Sequence, residues 1–249
     1  MQDSQHIVAD VRRVASSQGV ILFDAKLLPH ASLALCDADA WPEAQPLSGR
    51  GGRGGATLLH GPFGAGILRH FRRGGLIGRW VRNRYLFLGE SRTRSVREFR
   101  LLVELVERGL PVPQPVLAGW RRQGAFYSAD ILTRQVATAR TLAEYLDEGR
   151  EVLPWRRIGG TLAQFHHEGV FHADLNAHNI LLDEAGKIWL IDFDRGRLRR
   201  PRLSWQNANL QRLRRSLVKL GGFDESGWTA LVEAYRTTMA ALVAAETRT

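Results

Sequence analysis

The stretch from Phe171 to Arg195, F-H-A-D-L-N-A-H-N-I-L-L-D-E-A-G-K-I-W-L-I-D-F-D-R, constrains this chain more than any other. Ile180 to Leu182 and Ile188 to Ile191 are short apolar runs joined by D-E-A-G, the composition of a tight turn between two strands. A hairpin returns the chain antiparallel, so Asn179 and Asp192, which flank it, are expected close together at its open end. Two oxygen-bearing side chains there suit magnesium, which takes few protein oxygens and keeps its other positions for water and phosphate. Asp174 stands on the loop that leads in, five residues before Asn179. Each residue also has a plainer reading: Asp183 and Asp192 as turn acids, Asn179 as a former of Asx turns. The joint spacing favours a site. His172 reads as a structural core histidine; His178 reads either as an exposed loop residue or as a group approaching substrate.

With 249 residues and 44% hydrophobic content, the chain has enough apolar material for one large domain or two lobes, which excludes disordered and fibrous classes. Cys36 stands alone, so neither an internal disulfide nor a cysteine metal site is available, and a small buried side chain in a reducing compartment is expected. Asp3 and Asp10 lie where a signal peptide would be cationic and then apolar, and no stretch approaches 18 uncharged apolar residues. Standard secretion and membrane spanning are therefore not expected.

The net charge of +10 implies a polyanionic partner: nucleic acid, an anionic membrane or a phosphorylated substrate. Lys26, Lys187 and Lys219 are the only lysines, so arginine carries the charge. Ten arginines fall between Arg69 and Arg100, interleaved with Trp80, Tyr85 and Phe87 and opposed only by Glu90 and Glu98. Such a run leaves a positive surface field.

Along the chain, Gly19 to Phe23 reads as a strand, and Trp41-Pro42 with Pro46 as loop. The run S-G-R-G-G-R-G-G from Ser48 to Gly55 excludes helix and regular strand. Strands at Ala56 to His60 and Gly66 to Phe71 follow, joined by G-P-F-G-A. A glycine-rich turn before a hairpin is either a plain loop or a cradle that lays backbone N–H groups over phosphates. Ser95 to Arg108 carries Val96, Phe99, Leu102, Val103 and Val106 at helical spacing, with Gly109 and Pro111 as the stop. On it Glu98 has two readings, a surface pair with Arg94 or Arg97 or an inward anchor for a catalytic cation. Strands are expected at Val116 to Trp120 and Ala125 to Thr133, then helical character from Thr133 to Arg140. Thr141 with Glu144 forms a capping-box pattern, and a helix is expected from Pro154 to Glu168. From Trp205 onward two apolar stripes predict a helical tail.

The order Asp174, Asn179, Asp192 is similar to that of protein kinases, in which H-R-D-L-x-x-x-N supplies a proton-accepting Asp and a metal-binding Asn, and D-F-G a second metal-binding Asp. More specifically, H-A-D-L-N-A-H-N-I-L-L-D, I-D-F-D-R-G-R and the upstream G-I-L-R-H-F-R-R-G-G-L resemble the 3-deoxy-D-manno-octulosonic acid (Kdo) kinase family, from about Gly49 through the catalytic region and beyond. That resemblance implies an α+β, two-lobed protein-kinase-like fold. It has a small β-rich N-lobe over residues 1–132 and a mainly helical C-lobe over residues 133–249. It implies ATP-dependent phosphorylation of the 4-hydroxyl of Kdo on a lipid A precursor, by a protein peripheral on the cytoplasmic face of the inner membrane. Asp174 would then be the catalytic aspartate, Asn179 and Asp192 the Mg2+ ligands, and Glu98 the partner of the cation that holds ATP. Gly52 and Gly54 would approach the phosphates. Two departures stand out. No lysine lies between Lys26 and Lys187, so Arg69 takes the expected strand position, with a fork that also binds phosphate. Asp194 replaces the D-F-G glycine, as an extra ligand or a turn acid. Another sugar or small-molecule kinase is the alternative acceptor class. A non-catalytic module binding RNA or membrane is disfavoured because a scaffold has no need of Asp174, Asn179 and Asp192, and no nucleic acid partner is expected.

Overall fold

The computed structural model describes residues 8–47, 56–71, 85–149, 153–221 and 223–248. The chain divides into two compact units, Met1–Gly109 with Pro113–Gln135, and Leu110–Val112 with Val136–Thr249. It is a mixed α/β protein, rich in sheet in the first unit and in helix in the second. Gly52 and Gly54, and the arginines from Arg72 to Arg84, lie outside the described residues.

The first unit holds β1 (Val11–Ala15), β2 (Gly19–Asp24), β3 (Gln45–Pro46), β4 (Ala56–Gly61), β5 (Gly64–His70), β6 (Tyr85–Leu86), α1 (Arg94–Glu107), β7 (Pro115–Gln123) and β8 (Phe126–Arg134). The strands form one antiparallel sheet in the order β1-β2-β7-β8-β5-β4-β3, with β6 beside β8. Strand β2, G-V-I-L-F-D, is buried along its whole length, as its near-continuous apolar run predicts. Strand β1 is exposed at every position, and its V-R-R-V-A carries no alternation to betray it. A core cluster gathers Ile21, Phe23, Trp41, Leu59, Phe63, Leu68, Leu117 and Leu132. Cys36 is buried in it, and burial pushes its thiol pKa up, which leaves a small inert side chain. Helix α1 packs on β7 and β8 through Val96, Phe99, Leu102 and Leu105.

The second unit holds β9 (Arg140–Thr141), α2 (Leu142–Asp147), α3 (Trp155–His167), β10 (Val170–Phe171), β11 (Ile180–Leu182), β12 (Ile188–Leu190), β13 (Arg197–Leu198), α4 (Leu203–Leu220) and α5 (Glu225–Glu246). The capping box is present: Glu144 N donates to Thr141 Oγ1 at 3.1 Å, and Thr141 N donates to Glu144 Oε2 at 2.7 Å. Helix α5 starts on Asp224, whose carboxylate accepts from the Ser226 and Gly227 N–H groups at 2.9 and 3.0 Å.

Two expectations fail. Pro46, expected in a loop, stands in β3 and pairs with Thr57. Thr133 to Arg140 is not helical: β8 continues to Arg134, and Arg140 and Thr141 pair with Leu182 and Leu181. Between them Thr138 has φ 53, a left-handed conformation that a right-handed helix does not contain. Helix α3 begins one residue later than expected, with Pro154 as its flanking residue.

Candidate active site

Helix α3 delivers the chain to the loop. Gly169 follows its end at φ 74, and a Cβ there would sit 2.2 Å from the Arg199 carbonyl oxygen, so only glycine permits both the turn and the close approach. Phe171 and His172 come next, and His172 is buried as expected. Its Nδ1 accepts from the Asp174 N–H at 3.2 Å, so the proton sits on Nε2, which donates to the Ile191 carbonyl at 2.9 Å. Burial lowers its pKa, in keeping with a neutral ring. One imidazole thereby ties the loop carrying Asp174 to the segment carrying Asp192.

Asn176 caps the next turn, with Oδ1 accepting from His178 N at 2.8 Å and Nδ2 donating to the Asp174 carbonyl at 2.9 Å. Asn179 is buried, and its Nδ2 also donates to the Asp174 carbonyl, at 2.9 Å. The amide nitrogen of Asn179 is thereby engaged, which leaves Oδ1 as the atom suited to a cation. Strands β11 and β12 pair antiparallel, Ile180 opposite Leu190, which is the hairpin expected from the sequence. Ile191 N donates to the Asn179 carbonyl at 3.1 Å, so the residue before Asp192 is clamped by His172 on one side and Asn179 on the other. Asp174, Asn179 and Asp192 are thus brought together in one unit.

Asp192 itself has φ 61, an unusual backbone position for a non-glycine residue, of a kind that clusters at functional sites. Phe193 anchors the bend: it is buried, stacks on Phe165 at 6.1 Å and lies 4.8 Å from the His172 ring. Gly196 N donates to the Phe193 carbonyl at 2.7 Å, so Asp194 lies in a turn. Asp183 is an ordinary turn acid, accepting from Lys187 N and Trp189 Nε1 at 2.8 Å each.

Arg69 and Glu98 are brought together in the first unit. On β5 successive side chains point to opposite faces, so Leu68 enters the core cluster and Arg69 turns the other way. There Arg69 Nη2 pairs with Glu98 Oε1, and the guanidinium lies 5.0 Å from the Phe71 ring. Glu98 is only 3% exposed and lies on the buried stripe of α1, so its side chain points inward. His70, the next residue, pairs instead with Asp130.

One residue at the site carried no signal in the sequence. Arg212 on α4 donates from Nη1 to Asp174 Oδ1 at 2.6 Å. Ser216, one turn further, accepts from the Ala177 N–H at 3.2 Å and fixes α4 against the loop. The L-Q-R-L-R-R run shows an amphipathic helix but not which loop it faces.

Among the described residues no group of three or more His, Cys, Asp and Glu side chains could hold a metal ion. An amide oxygen with a carboxylate suits magnesium rather than a resident zinc. The sequence model of the lipopolysaccharide kinase (Kdo/WaaP) family matches residues 40–235 of the chain. The chain belongs to this family. It is 47% identical over 211 residues, 84% of each chain, to the 3-deoxy-D-manno-octulosonic acid kinase of Xanthomonas axonopodis pv. citri (strain 306). It is 48% identical over 206 residues, 82% of each chain, to the enzyme of that name from Xylella fastidiosa (strain M23). Arg69, Glu98, Asp174, Asn179, Asp192 and Arg212 all fall inside the segment matched by the lipopolysaccharide kinase family.

Proposed function

We propose that this kinase transfers the γ-phosphoryl group of ATP, with Mg2+, to the 4-hydroxyl of Kdo on a lipid A precursor in lipopolysaccharide core biosynthesis. The observation that carries this reading is 46–48% identity, over more than four-fifths of both chains, to proteins named 3-deoxy-D-manno-octulosonic acid kinase. We read the sheet-rich unit as the N-lobe and the helical unit as the C-lobe of a protein-kinase-like fold, with the boundary at the end of β8.

Asp174 accepts the acceptor hydroxyl's proton as that oxygen bonds to the γ-phosphorus and the bond from phosphorus to the departing ADP breaks. The transition state of such transfers is loose, so orientation of the hydroxyl counts for more than basicity. Orientation is what the hydrogen bonds to the Asp174 backbone supply. Asn179 Oδ1 and the Asp192 carboxylate would hold Mg2+, which when bound neutralises charge on the phosphates. Arg69 holds the ATP phosphates in the place of the usual lysine, steadied by Glu98, with Gly52 and Gly54 covering them. No helix among the described residues is long and apolar enough to cross a membrane. The arginine-rich charge therefore suits a peripheral attachment to the cytoplasmic face of an anionic inner membrane.

The test is to incubate the protein with ATP, Mg2+ and a Kdo-bearing lipid A precursor and to follow the product by mass spectrometry. One added phosphate on the Kdo is expected with the native sequence. Asp174→Asn is expected to lower kcat by about 100-fold or more, the range for loss of a positioned proton acceptor. Absence of product with the native protein, or unchanged turnover in D174N, would sink the reading.

A further inference from the structure

We infer that Arg212 is the acceptor-binding residue that takes the carboxylate of the sugar, an anion subsite beside the proton acceptor. The inference rests on the acceptor proposed above. Arg212 is 47% exposed and Asp174 59% exposed, and the single contact of Nη1 with Asp174 Oδ1 leaves Nε and Nη2 without a hydrogen-bond partner among the described residues. An ion pair this open adds little stability, so the fold does not need it. In the resting protein it also places a competing donor on the carboxylate that has to meet the acceptor hydroxyl.

An acidic acceptor resolves that conflict. The relatives are named for an octulosonic acid, a sugar that carries a carboxylate as well as hydroxyl groups. When its reacting hydroxyl sits within hydrogen-bond reach of Asp174, about 2.6–3.2 Å, the carboxylate of the same sugar comes within range of a guanidinium that touches Asp174. The planar fork of Arg212 then turns from Asp174 to the substrate carboxylate, a geometry that arginine satisfies with two parallel N–H donors. The helix face is prepared for this. Ser216 holds α4 to the loop, Arg215 and Lys219 continue the positive charge, and no acid lies between Arg212 and Lys219. Arg214, on another side of the helix, is taken up by Glu225 at 3.0 Å.

The experiment compares two acceptors, the Kdo-bearing lipid A precursor and its counterpart with the Kdo carboxylate converted to a carboxamide. The two are assayed with the native protein, Arg212→Gln and Arg212→Lys. The native protein is expected to prefer the acid by about 10- to 100-fold in kcat/KM, the value of a hydrogen-bonded charge pair. R212Q is expected to lose that preference, mainly through the KM for the acid, and R212K to recover part of it. Equal preference in native protein and R212Q overturns the inference while leaving the acceptor reading intact. So does a loss in R212Q that is the same for both acceptors or that falls on the KM for ATP, because Arg212 would then act through Asp174 or on the phosphates. No turnover of either acceptor by the native protein overturns the acceptor and the subsite together.

Discussion

His166 shows how a single residue sets a limit on the conditions in which the site survives. It lies on the buried face of α3, with Tyr235 of α5 hydrogen-bonded to its Nδ1 at 2.9 Å, Asn209 of α4 beside it and the His172 ring nearby. Burial lowers its pKa to about 4, while Tyr235 is pushed up to about 12 and keeps its proton. A histidine that must stay neutral when folded but charges freely when unfolded contributes stability above its ordinary pKa of about 6.5, which is lost as pH falls from there towards 4. The full shift corresponds to about 3 kcal/mol. Urea unfolding at pH 7.5 and pH 5 is expected to show the loss, and His166→Gln to flatten the slope; an unchanged slope in that variant would assign the acid sensitivity elsewhere. His172, buried beside it, is shifted in the same direction. That His172 belongs to the core is expected from the sequence, but its bond to the Ile191 carbonyl is not, since Ile191 is distant in sequence.

At the scale of elements, α3 and α5 approach closely because α3 presents a glycine to the backbone of α5. A Cβ on Gly159 of α3 would lie 2.1 Å from the Leu231 carbonyl oxygen of α5, whereas one on its neighbour Gly160 would lie 3.4 Å from the Thr238 hydroxyl. Gly159→Ala must therefore push a backbone apart, and is expected to cost about 1–3 kcal/mol by overpacking. Gly160→Ala has nearly enough room, and is expected to be neutral or to gain up to about 1 kcal/mol from helix propensity. Thermal melting of the two variants separates them; equal Tm values would show that α3 and α5 are not in this contact. Helices α1 and α3 and the β11–β12 hairpin were visible as periodicity in the sequence. Strand β1 was not, because an edge strand exposed at every position has no apolar face to repeat. Helical character over Thr133 to Arg140 fails because the backbone groups there are satisfied by partners remote in sequence, Gln135 N by the Ala65 carbonyl at 2.9 Å and Arg140 of β9 by Leu182 of β11.

For the whole molecule, a net charge of +10 carried almost wholly by arginine is expected to draw the protein to anionic vesicles and not to neutral ones. Co-sedimentation should fall steeply as salt rises, because screening shortens the reach of exposed charges to about 3 Å at 1 M; binding indifferent to salt and lipid charge would refute a peripheral electrostatic attachment. Charge, the main helices, the β11–β12 hairpin and the spacing of Asp174, Asn179 and Asp192 follow from the sequence by itself, since local periodicity and short spacing determine them. Which strand lies beside which, that Glu98 turns inward to Arg69, and that Arg212 of a distant helix meets Asp174 were decided only by the tertiary structure. The physical reason is the same in each case. A residue's type fixes what it can bond to, but when the partner lies tens of residues away, only the packing of helix on sheet and helix on loop selects it.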